Sequence, residues 1–180
     1  KKLHRRDFLT KSSVALVGIG AGFTNNGSIT RNSFFSKNPE PPVIKEYRVL
    51  GRTGFKISDI GCGSVSISNE NVLKAVLDAG INFIDTAEFY SNGNNESMVG
   101  RAIKGLNRSS FFLNTKIGVS ETSTEDGIIT RVKNCLKRLG TDYLDGLTLW
   151  NAGSTNAVKD KAFHQAFEQL KNEGRARYCG

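Results

Sequence analysis

The chain has 180 residues, 38% hydrophobic and 23% charged, a globular composition with enough apolar mass for one core. Its formal charge of +8 would suit a nucleic-acid partner, but residues 1–50 carry nine Lys/Arg against three Asp/Glu, and residues 51–180 carry sixteen against fourteen. The body has no basic stripe with interleaved aromatics, which argues against nucleic-acid binding. The widely spaced Cys62, Cys135 and Cys179 form neither a C-x-x-C metal or redox motif nor a disulfide framework.

At the front, "LHRRDFLTK" (3–11) sets two arginines before Phe8-Leu9, and "SSVALVGIGAGF" (12–23) follows as a soft apolar run diluted by three glycines. Residues 1–23 resemble a twin-arginine export signal. The run is too short to cross a bilayer of about 30 Å as an ordinary helix. No small-x-small cleavage site follows it. The resemblance implies the twin-arginine machinery as partner and a periplasmic or membrane-associated protein. A basic N-terminus on a cytoplasmic protein is the alternative. Residues 24–45 are polar, hold all three prolines and read as a linker.

From residue 46 the pattern changes. "YRVLGRTGFKIS" (47–58) is a β-hairpin turning at Gly51–Gly54, and "DIGCGS" (59–64) is a short strand ending in glycines. "NENVLKAVLDAG" (69–80) is helical, with Val72, Leu73, Val76 and Leu77 as its apolar stripe and Gly80 as its stop. "INFIDTA" (81–87) is a strand. "NESMVGRAIKGL" (95–106) is a helix with Met98, Ala102 and Ile103 inward, and Asn94, Asn95 and Glu96 are read as its loop and cap. "SSFFLNTK" (109–116) is a strand, and "STEDGIITRVKNCLKRLG" (123–140) a helix capped by Ser123 or Thr124 and closed by Gly140. "DYLDGLTLW" (142–150), "KAFHQAFEQLKNEG" (161–174) and "RARYCG" (175–180) give a strand, a helix and a further strand.

Strands alternating with helices mean βαβ units and a parallel sheet. An open dinucleotide-binding sheet would want G-x-G-x-x-G after its first strand, and Gly61-x-Gly63 has no third glycine. A barrel puts reactive groups at the C-terminal strand ends. Here Asp85, Lys116 and Trp150-Asn151 end three successive strands, and Tyr90 follows Asp85 by five residues. An ammonium beside a phenol favours the phenolate, and a carboxylate keeps that ammonium charged and oriented. Such a tyrosine can protonate a developing alkoxide near neutral pH, with the hydride left to a cofactor. Taken singly, Asp85 is equally a helix cap, Tyr90 loop packing and Lys116 a surface charge. A Schiff-base role for Lys116 would leave Tyr90 without a function. His164 reads as an ordinary helix-face residue. No metal site is expected.

On "GINFIDTAEFY", "NESMVGRAI", "FFLNTKIG" and "RVKNCLKRLGTDYLDGLTLW", residues 46–180 resemble the aldo-keto reductase superfamily. The resemblance implies an α/β fold, the (β/α)8 barrel, of which the chain covers about the first half plus the N-terminal hairpin. It implies an oxidoreductase that reduces a small-molecule carbonyl substrate with NADP(H), or alternatively NAD(H). Tyr90 would be the proton donor, Lys116 would tune it, and Asp85 would hold Lys116 beside the nicotinamide ribose. Gly61, Gly63, Ser64, Asp85 and Asn151 would contact the cofactor, although the two glycines could equally serve packing. Two departures stand out. The usual histidine at the fourth strand end is Trp150, which offers one indole N–H but cannot titrate. From Tyr47 to Gly180 the body offers 134 residues where a full barrel takes about 250, so a fragment or a shortened reading frame is expected. Both departures open the alternative of a degenerate, non-catalytic binding protein.

Overall fold

The computed structural model describes residues 44–150 and 152–180; the export-like leader, the linker up to residue 43 and Asn151 lie outside them. Two strands, β1 (Tyr47–Val49) and β2 (Lys56–Ser58), pair antiparallel with Tyr47 opposite Ser58. A 3-10 turn at Gly51–Thr53 joins them, and Gly54 takes φ 70° to close it, a conformation that disfavours a Cβ.

Five parallel strands follow: β3 (Cys62–Gly63), β4 (Phe83–Asp85), β5 (Phe112–Ile117), β6 (Leu144–Leu149) and β7 (Ala176–Cys179). They lie side by side in chain order. A doubly wound sheet would reverse direction at a switch point. Strands added always to the same side build a barrel wall, so the fold is α/β and a sector of a (β/α)8 barrel, as expected.

Between the strands run α1 (Glu70–Asp78), α2 (Asn94–Ile103), α3 (Glu125–Leu139), a one-turn α4 (Thr155–Val158) and α5 (Lys161–Asn172). Local chemistry sets their ends. Asn69, Thr124 and Asp160 accept backbone N–H groups at the starts of α1, α3 and α5. Gly140 ends α3 in the left-handed region at φ 63°. Helix faces meet the sheet through Val99, Val132, Leu139 and Leu170, against Ile84, Leu113 and Leu147, all fully enclosed. Each such burial contributes roughly 1.5–3 kcal/mol. The stripe of α1 is narrower than its periodicity suggested. Leu73 is buried and Val76 and Leu77 half-buried, but Val72 is 51% exposed, because it lies about 100° round the helix from Leu73.

The N-terminal ends of β5 and β6 are locked by charge. Asp145 is buried, accepts from Leu113 N at 3.0 Å and pairs with Arg108 at 2.7 Å and Arg177 at 3.1 Å. Both guanidiniums also cover the Tyr143 ring, at 4.0 and 3.9 Å from its centroid. The hairpin is tied to this same end. Tyr178 in β7 donates to the Thr53 carbonyl at 3.0 Å. The reactive strand ends lie at the opposite pole.

Candidate active site

Register decides which side chains meet. Asp85 stands opposite Asn114, and Lys116 opposite Thr148. Alternation along the strands puts Asp85, Asn114, Lys116 and Thr148 on the inner face. A chain of contacts joins them. Thr148 Oγ1 donates to Asn114 Oδ1 at 2.9 Å, Asn114 Nδ2 donates to Asp85 Oδ1 at 2.7 Å, and Lys116 Nζ is ion-paired with Asp85 Oδ2. Lys116 Nζ also reaches the Thr86 carbonyl at 3.1 Å and Tyr90 Oη at 3.4 Å. The structure therefore brings Asp85, Tyr90 and Lys116 together, with Lys116 as the hub.

Tyr90 arrives by an unusual backbone path. After β4 the chain stays laddered to β5, with Thr86 N bonded to Asn114 O and Glu88 N to Lys116 O. It then turns through Tyr90–Gly93, where Ser91 and Asn92 hold φ of 50° and 53°. Two successive non-glycine residues in the left-handed region store strain of order 1 kcal/mol each. Gly93 follows at φ 84°, packed so closely that an added Cβ would lie 2.9 Å from Arg138 Cδ.

Trp150 lies beside this group. Its ring is 4.9 Å from Phe89 and 6.3 Å from Tyr90, edge-on to the latter at 89°. The strand-end position expected to carry a hydrogen-bonding, titratable histidine thus carries an aromatic wall. Asn151 lies outside the described residues.

Three expected cofactor contacts separate in the structure. Gly63 faces open space, and a Cβ there would meet nothing within 4 Å. Gly61 is a packing residue, since its Cβ would press on Phe83 Cδ1 at 3.1 Å. Ser64 is fully buried, with its hydroxyl 2.6 Å from Asn95 Oδ1 and 3.0 Å from the Asp85 carbonyl. Ser64 faces the helix layer and lies behind Asp85.

The reading of Asn94–Glu96 as loop and cap is corrected. All three lie in the first turn of α2, with Asn95 and Glu96 buried. Asn95 Oδ1 accepts from Ser64 and from Thr86 Oγ1 at 2.9 Å, while Nδ2 donates to the carbonyls of Ser64 at 2.7 Å and Ile67 at 3.0 Å. Glu96 accepts from Thr115 at 2.6 Å and from Arg138 Nε at 2.7 Å. Burial alone would lower the pKa of Arg138, but the bonded Glu96 carboxylate more than offsets this and holds it above its usual value. Cys135 beneath them is pushed well above the ordinary thiol range, by burial first and then by Glu96. Burial, aided by the Asp85 carboxylate, likewise raises Cys62.

Positions 95, 98, 99 and 102 share one helical face, so Asn95 lies on the same inward stripe as Met98 and Ala102. A second concavity, of about 540 Å³ and lined by Ile103, Arg108, Phe111 and Tyr143 among others, contains none of the Asp85–Tyr90–Lys116 group. Among the described residues no helix is long and apolar enough to cross a membrane, and no cluster of three metal-ligating side chains occurs.

Known proteins are similar to this chain. Residues 60–180 fit the model of the Aldo/keto reductase family. A Schizosaccharomyces pombe protein, provisionally described as a voltage-gated potassium channel subunit beta, is 36% identical over 77% of this chain and 45% of its own length. A Bacillus subtilis protein described as an uncharacterized oxidoreductase is 36% identical over 74% of this chain and 47% of its own. Among solved structures, a holo-form aldo-keto reductase from Bacillus halodurans superposes with a TM-score of 0.62 at 34% identity, covering 74% of this chain and 49% of that one. An aldo-keto reductase from Klebsiella pneumoniae in complex with NADPH gives 0.60 at 31% identity, covering 71% and 46%. The chain spans about half the length of the curated relatives it matches. With its family model covering 121 residues, and with that barrel wall and strand-end geometry, the chain belongs to the aldo/keto reductase family.

Proposed function

We propose that the protein carrying this chain is an NADPH-dependent carbonyl reductase in which Tyr90 is the proton donor. The observation that carries the reading is the position of Lys116 Nζ, paired with Asp85 and 3.4 Å from Tyr90 Oη. NADP(H), when bound, supplies the hydride. Gly63 offers an open backbone and Asp85 a carboxylate at the strand ends where such a cofactor would lie; Asn151 adds an amide by the family resemblance. The complex of NADPH with the Klebsiella pneumoniae relative supports this cofactor class.

The chain's own residues then have definite tasks. Lys116 stabilises negative charge on the Tyr90 oxygen as its proton leaves. Asp85 orients Lys116 and is itself held by Asn114, which Thr148 fixes in turn. Trp150 walls the carbonyl side of the phenol. A Schiff-base role is disfavoured, since Lys116 would have to surrender the Asp85 pair. The test is NADPH oxidation by the full-length gene product over a panel of aldehydes and ketones, beside Tyr90→Phe. Turnover lost in the variant and present in the parent supports the reading. Equal rates in both would sink it.

A second reading rests on Trp150. With no titratable group at that strand end, the protein would bind a nicotinamide cofactor without reducing carbonyls. Tight NADPH binding without turnover in the parent, with carbonyl reduction gained in Trp150→His, would favour it. Export in folded form through the "RRDFL" leader is proposed on the sequence alone. It is tested by fractionating cells that express the parent and an Arg5→Lys/Arg6→Lys variant.

A further inference from the structure

Two arginines on α3 each hold a glutamate that flanks Tyr90. Arg131 binds Glu88 in a bidentate pair along one guanidinium edge, Nη2 donating to Oε1 and Nε to Oε2 at 3.0 Å. Arg138, seven residues on, binds Glu96 through Nε and Nη2, each at 2.7 Å. A spacing of seven is two helical turns, so both arginines leave α3 on the same side about 10.5 Å apart. Their partners bracket Tyr90, two residues before it and six after.

The pairs are built into the fold. The Glu96 side chain is fully buried and that of Glu88 only 9% exposed. Glu88 also accepts from Gly118 N at 3.1 Å, which ties it to the exit of β5. Arg131 covers the Phe89 ring at 5.8 Å, and Phe89 in turn packs on Trp150. Between the two pairs lies the left-handed stretch Ser91-Asn92. A backbone in that region persists only where its surroundings over-determine it.

We propose that Arg131 and Arg138 form a two-point clamp that positions Tyr90 against Lys116 by holding Glu88 and Glu96. These four are positioning residues, and the proposal rests on Tyr90 as proton donor. Release at either point lets residues 88–93 relax and carries the phenol away from the ammonium. An acid displaced by about an ångström loses rate while the cofactor site, built on β3 and β4, is untouched.

Hydrogen exchange and steady-state kinetics on the full-length gene product, with NADPH and an aldehyde, test this together. The variants are Arg131→Ala, Glu88→Gln and the double Glu96→Gln/Arg138→Met, which removes both inner charges at once. Amides of residues 88–93 are expected to exchange about tenfold faster or more, with β5 and β6 unchanged. The rate constant kcat should fall about 10–100-fold, with KM for NADPH within about twofold of the parent. The reversed pair Glu88→Arg/Arg131→Glu should recover part of the rate. Arg101→Ala, which cuts the exposed pair with Glu70, is the control and should change neither readout.

Unchanged exchange, or faster exchange with unchanged kcat, overturns the clamp while leaving the reductase reading intact. Faster exchange in the variants, with a parent that never turns over NADPH, leaves the loop restraint standing and removes the reductase. If the double variant does not fold, Arg131→Ala and Glu88→Gln decide alone.

Discussion

Lys116 Nζ stands 3.4 Å from Tyr90 Oη and 5.2 Å from the centre of its ring. The ammonium thus faces the phenol from one side while Asp85 holds it from another. Removing the phenol oxygen leaves this cation and carboxylate paired. Tyr90→Phe should therefore cost about 10²–10⁴ in kcat and leave NADPH affinity within about threefold. Fluorescence titration and single-turnover kinetics check the two halves separately.

Asp85→Asn keeps the shape but removes the charge that pairs with Lys116. The expected result is a fall of about 10–100-fold in kcat with a native circular dichroism spectrum. A variant as fast as the parent would mean that Asn114 and the Thr86 carbonyl suffice to place Lys116.

Trp150→His puts a titratable donor beside Tyr90. In the full-length protein, ketone reduction should rise by about tenfold or more, and the kcat profile should gain a limb near the imidazole pKa of about 6.5. A flat profile at the parental rate would mean that the position does not touch the carbonyl.

Asn95 makes four hydrogen bonds in a buried site. Asn95→Leu strips its partner from the Thr86 hydroxyl and the Ile67 carbonyl, while Ser64 keeps its bonds to the Asp85 carbonyl and Ile67 N, and should cost about 2–4 kcal/mol. Urea denaturation at unchanged slope measures the loss.

Cys135 gives a signed pH effect. Its folded pKa is raised, so above the unfolded value of about 8.5 only the unfolded chain releases the proton. The associated stability is complete below that pH and is lost as pH climbs toward the folded value, by at most about 1.4 kcal/mol per unit. Cys135→Ala should flatten the decline between pH 8.5 and 10.

How much of this was legible in the sequence depends on range. The strand ends were readable because Asp85 and Lys116 each close an apolar run, and a parallel barrel gathers such ends. Order along the chain became order in the sheet, so the wall itself was readable. The buried layer behind them was not read. "NGNNES" looks like a solvated loop and cap, and only contacts with Ser64, 31 positions back, and Arg138, 42 positions on, take Asn95 and Glu96 inside. Polarity suggested solvent where periodicity pointed inward. Nor does the sequence around Ser64 show that its hydroxyl meets Asn95 across the layer, 31 positions on. Of the two left-handed residues after Tyr90, Asn92 is of a type that tolerates that region, but Ser91 carries no such signal.

The bond from Tyr178 to Thr53 spans 125 positions, and it has a bearing on synthesis. A ribosome delivers the hairpin well over a hundred residues before β7. Until β7 emerges, nothing latches the hairpin at that point, and the floor of the nascent wall stays ajar. Closing so distant a contact is slow compared with pairing neighbouring strands. Tyr47 and Ser58 meet Gly80 and Asn82 long before that, so β7 completes a floor that the hairpin has already begun.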